Sequence, residues 1–131
     1  MPSISGEFTV TMTPEALSAI AADSGLGRMS LDKRYLGPLD ASGHGEMLGV
    51  RSGVSGSAGY VALEKVQGTL DGHAGSFYLQ HSGTMTRGAP ALSVTVVPDT
   101  GTEALLGLQG SLAIRIENGK HYYDFTYELP A

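Results

Sequence analysis

Apolar and polar residues alternate at the period of a β-strand along most of this chain. The clearest run is 75–85, where Phe77 and Leu79 lead to His81 on one face. Residues 6–12 alternate as cleanly, with Phe8, Val10 and Met12 facing one way and Glu7, Thr9 and Thr11 the other. Thr13, Pro14 and Glu15 then offer a helix N-cap, a proline at the first helical position and an acid in the first turn. One or two helical turns, or a loop, are expected from there to Gly25.

Further strands are expected over 28–36, 40–51, 59–69, 92–97, 110–117 and 120–129. Gly37-Pro38, Asp71-Gly72, the stretch from Arg87 to Pro90, Pro98-Asp99 and Asn118-Gly119 supply the turns. Thr102 is placed to cap a single helical turn through Leu106. Gly43, Gly45 and Gly49 thread the third strand, so its inward face stays open. Eight short strands joined by tight turns predict an all-β fold. An eight-stranded antiparallel barrel is the form that leaves no exposed edge, and its interior holds side chains or one small ligand.

The fourth strand adds a further expectation. Tyr60, Ala62, Glu64 and Val66 share one face, and Val61, Leu63, Lys65 and Gln67 the other. If Tyr60 and Glu64 point inward, Val61 and Leu63 lie outside, which favours cover by a second copy in a homo-oligomer.

Composition agrees with this architecture. The 131 residues fit a single domain. Charged residues make up 16% of the chain, below the usual ~25%, and the 19 glycines are about twice the usual share. The net charge is −5 and no basic run exists, which argues against nucleic acid and anionic membrane surfaces. No apolar stretch approaches the roughly 18 residues of a membrane span, and the N-terminal residues lack the pattern of a signal peptide. A cytoplasmic protein is expected. The absence of cysteine excludes disulfides, thiolate metal sites and cysteine nucleophiles.

Several blocks resemble a bacterial family called domain of unknown function 3224. They are the stretches 27–33, 45–48, 57–60, 76–83, 96–101 and 121–125, and the likeness runs nearly end to end. The resemblance implies an eight-stranded barrel similar to allene oxide cyclase, often oligomeric. An aspartic-peptidase-like, self-cleaving activity is associated with the family, and the related cyclase isomerises a lipid epoxide.

Two sets of residues carry candidate chemistry. Lys33, Glu64, His81 and Tyr123 each share a face with apolar neighbours, so all four enter one lumen if the more apolar faces point inward. Desolvation would raise the Glu64 pKa unless Lys33 lies close, and a glutamate poised beside His81 and Tyr123 suits general acid–base work. The bland alternative is a buried Lys33–Glu64 pair that orders the barrel, with His81 bonded to it. The second set is Asp32 and Asp124, each on the opposite face of its strand. As a close pair they could share a proton and activate water; as surface residues they would pair with Arg34 and Arg115.

No metal site is expected from the scattered His44, His73, His81 and His121, and no cofactor. The leading expectation is a barrel that takes a small molecule or an extended peptide, with carboxylate-assisted hydrolysis by Asp32, Glu64, His81 and Asp124. The alternatives are an isomerase, by analogy of fold, and a non-catalytic binding barrel in which Lys33, Tyr60, Phe77 and Tyr123 hold an apolar ligand.

Overall fold

A computed structural model describes residues 2–131 as a closed barrel of eight antiparallel strands in sequential order. The strands are β1 (Ser3–Glu15), β2 (Gly27–Tyr35), β3 (Leu39–Arg51), β4 (Ala58–Leu70), β5 (His73–Thr86), β6 (Ala89–Val96), β7 (Gln109–Glu117) and β8 (Lys120–Glu128). The alternation read from the sequence is the cause. Each strand turns its more apolar row inward, and Phe8, Tyr35, Val66, Phe77, Leu79, Tyr123 and Phe125 are almost wholly buried there.

Three elements differ from the sequence expectation. No helix follows Thr13; β1 runs on through Pro14 to Glu15, and the alternative expectation, a loop, holds from Ala16 to Leu26. Beyond Phe8, β1 pairs with β2 alone, and a strand with one free edge tolerates a proline. The Arg87–Gly88 turn is shorter than expected, both residues having positive φ, so β6 starts at Ala89 and includes Pro90. Glu103–Leu105 does form one 3-10 turn, but Thr102 makes no cap bond to it. Its hydroxyl instead accepts from the Ser76 backbone N–H at 3.0 Å, tying the turn to β5.

The two ends of the barrel are unlike. One is filled: Phe77 stacks on Phe125 with ring centroids 5.9 Å apart, and Leu70, Leu105 and Leu108 are buried with them. The opposite end holds the far ends of β1, β3 and β5 and the beginnings of β2, β4 and β6. There the wall is incomplete, because β6 meets β7 at the single pair Thr95–Ser111. On the outside, Leu48, Val61, Leu63 and Tyr78 form an exposed apolar row across β3, β4 and β5. Among the described residues no helix is long and apolar enough to cross a membrane.

Candidate functional site

The interior of β3 sets the geometry of the barrel's middle. Ala41, Gly43, Gly45, Met47 and Gly49 face inward, so this wall carries little bulk where its neighbours carry large side chains. A side chain at Gly43 would collide with the Glu64 carboxylate and crowd the Tyr35 ring. Across this gap Lys33 and Tyr35 of β2 reach Glu64 of β4, two strands away.

Glu64 is fully buried, and both carboxylate oxygens are occupied. Lys33 Nζ donates to Oε1 at 2.8 Å. His81 Nε2 lies 2.7 Å from the same oxygen, so with an ionised carboxylate it carries the shared proton. The Tyr35 hydroxyl lies 3.0 Å from Oε1 and 2.9 Å from Oε2. Burial, the largest single influence, disfavours the charged form. The His81 hydrogen bond and the Lys33 charge together outweigh it and hold the Glu64 carboxyl below its ordinary range. Burial, and then the Glu64 charge, pushes the Tyr35 phenol well above its ordinary value. Among the described residues no buried side-chain nitrogen or oxygen lacks a partner. The cluster is an ion pair completed by two further hydrogen-bonding groups, as the bland reading of the sequence expected.

Above it the open end widens into a cup of about 860 Å³. Met12, Met29, Met47 and Met85 line it with Leu26, Leu92, Ile116 and Tyr60. The Tyr60 ring lies directly over Gly83, where any side chain would displace it. His81 lies two residues before Gly83 on β5, so the buried cluster sits about 7 Å further down the strand. Tyr60 is half-buried; burial, and then the Glu64 charge, raises its phenol pKa, which keeps its hydroxyl a donor.

A family described as a protein of unknown function, DUF3224, matches residues 4–127. The chain belongs to the DUF3224 family. A crystal structure of a DUF3224 protein of unknown function from Shewanella oneidensis MR-1 is 48% identical to it. The two superpose with a TM-score of 0.93, over 100% of this chain and 98% of that one. No curated protein matches the chain.

The remaining sequence candidates of this DUF3224 barrel do not meet the cluster. Asp32 and Asp124 both lie on the outer wall, and they do not form a pair. Along β1, Asp124 stands opposite Ser5 and Asp32 opposite Thr11, an offset of about 20 Å at ~3.3 Å per residue. Asp124 is held by Arg115 at 2.6 Å and by the Ser5 hydroxyl at 2.6 Å, which lower its pKa in that order. Asp32 lies 3.3 Å from His44, while Arg34 is taken by Asp40 instead.

Tyr123 is inside but serves the backbone. Its hydroxyl donates to the Leu36 carbonyl at 2.8 Å and accepts from the Leu39 N–H at 3.0 Å, pinning the β2–β3 turn. Phe77 belongs to the filled end. Of the four proposed ligand-holding residues, only Tyr60 lines the cup. The four methionines were not singled out from the sequence, although a signal existed. In an up-and-down barrel the ends of odd strands and the starts of even strands share one rim, and all four lie there. Among the described residues no cluster of His, Asp or Glu is placed to hold a metal ion.

Proposed function

We propose that this DUF3224 chain is a non-catalytic binding barrel that takes an apolar small molecule into the methionine-lined cup. The observation that carries the reading is the cup itself, a concave space of about 860 Å³ with a largely apolar lining. That is the size and chemistry of small-molecule sites, which favour the mouths of barrels. Methionine side chains are flexible and polarisable and adapt to irregular ligands. Each methylene moved from water into such a lining gains about 0.8 kcal/mol, so the length of an apolar ligand would govern its affinity.

Carboxylate-assisted hydrolysis has less support. Glu64 has donors at both oxygens and sits beneath the cup rather than in it, and the two aspartates are far apart on the outside. The bonds from Lys33, His81 and Tyr35 that occupy the Glu64 carboxylate favour a scaffold role for the Lys33–Glu64–His81 cluster.

Native mass spectrometry of freshly isolated protein tests the reading. The expected result is a bound species of a few hundred daltons that is lost on extraction with organic solvent and does not return to a Met47→Glu variant. A consistently empty wild-type barrel that also fails to bind N-phenyl-1-naphthylamine, a neutral apolar fluorophore, would overturn it.

A further inference from the structure

The chemistry of the rim restricts what the cup's ligand carries at its polar end. Five of the eight lysines and arginines have a carboxylate within reach: Arg28 pairs with Glu46, Lys33 with Glu64, Arg34 with Asp40, Arg115 with Glu117 and Asp124, and Lys120 with Glu7. Among the described residues Arg51, Lys65 and Arg87 have none, and of these three only Arg51 lines the cup. Among the described residues it is also the only charged one in the lining. Its position is fixed by strand alternation: Met47, Gly49 and Arg51 follow one another on the inner face of β3.

Tyr60 lies on the neighbouring strand. In the β3–β4 register Tyr60 is opposite Gly49 and Ala58 is opposite Arg51, but the Tyr60 ring leans away from β3, over Gly83 of β5. Among the described residues the Tyr60 hydroxyl has no hydrogen-bond partner. The guanidinium is a donor only, and the raised pKa of the phenol keeps its proton available. No carboxylate lines the cup to compete for them. One permanently charged donor, the Arg51 guanidinium, sits at the edge of an otherwise largely apolar hollow in a protein of net charge −5, and the Tyr60 phenol lies on the neighbouring wall.

We infer that the cup's ligand is an anionic amphiphile, a free molecule whose apolar body fills the methionine-lined hollow and whose carboxylate-like end is held by Arg51 at the rim. This rests on the cup being a binding site. It adds the class of ligand and the residue that selects it. A carboxylate accepts hydrogen bonds only, which matches a donor-only guanidinium, and a guanidinium binds it through two parallel bonds. An alcohol or an amine of the same length cannot use the charge.

Competition against N-phenyl-1-naphthylamine separates the two claims. Decanoate and decanol share a tail and differ in the head. At pH 8 and low salt, Arg51→Gln is expected to weaken displacement by decanoate about fivefold more than displacement by decanol. The difference shrinks in the wild type as salt is raised. Arg51→Lys restores part of the preference, and Arg87→Gln, outside the cup, leaves decanoate displacement unchanged. If the fluorophore binds the wild type and Arg51→Gln weakens both competitors equally, the anionic head is wrong and the cup stands. If the fluorophore and both competitors fail to bind the folded wild type, the cup reading falls and this inference with it.

Discussion

Lys33 Nζ lies 2.8 Å from Glu64 Oε1 inside the barrel, with the lysine 7% and the glutamate 0% exposed. Neither charge could be kept there alone. Removing one partner from a buried pair typically costs about 3–5 kcal/mol, because the other is left uncompensated. Glu64→Gln is therefore expected to lower stability to urea by about that amount. Lys33→Met combined with Glu64→Gln should recover part of the loss, since a glutamine oxygen still accepts from Tyr35 and His81. A double variant no more stable than Glu64→Gln would contradict this.

The same carboxylate gives a pH dependence of definite sign. Glu64 has a folded-state pKa below its ordinary value, so in the acid range the unfolded chain binds more protons than the folded one. Its contribution is fully present above the unfolded carboxylate pKa of about 4.3 and is lost as pH falls through the folded value. Urea midpoints from pH 7 down to pH 3 should fall in the wild type and fall less steeply in Glu64→Gln. Parallel curves would show that the glutamate is not held in its charged form.

Gly43 makes room for that carboxylate, and a methyl group at this position would force Glu64 and Tyr35 to shift. Gly43→Ala is expected to destabilise the barrel by about 1–3 kcal/mol through overpacking. Gly53→Ala, in a loop with open space around it, is the control and should be nearly neutral. The comparison is a pair of thermal melts.

Asp32 and Asp124 are surface residues with separate partners. Asp124→Asn loses its Arg115 pair and should cost no more than about 1 kcal/mol, and Asp32→Asn less. Pure protein incubated at pH 4 and followed by intact-mass measurement should stay whole in the wild type and in both variants. Cleavage in the wild type that either substitution abolishes would restore the aspartic-peptidase reading.

Strand alternation made much of this legible before any coordinates. Lys33, Glu64 and His81 share inward rows with Leu31, Val66 and Leu79, and period-two patterning is enough to put them in one interior. It could not say which of them touch. Contact across two strands depends on the space left by Gly43, and a glycine carries no facing signal of its own. Tyr123 shows the same limit. Its row is evident, but whether its hydroxyl meets a carboxylate or the backbone of the β2–β3 turn depends on tertiary packing. Asp32 and Asp124 share the outer face as the pattern implied. Their separation comes from the register of β2 and β8 along β1, which no single-strand pattern contains. Pro14 is ambiguous for a physical reason: a proline after a threonine can open a helix or continue a strand along a free edge, and β1 takes the second course.

The cup is the central claim, and the methyl groups of its methionines report on it directly. In carbon–proton spectra of methyl-labelled protein titrated with decanoate, the Met12, Met29, Met47 and Met85 methyls are expected to shift together and saturate at one concentration. The methyls of Leu70 and Leu105 at the filled end, and of Val61 and Leu63 on the outer wall, should stay in place. Shifts confined to Val61 and Leu63, or none at the four methionines, would contradict the account.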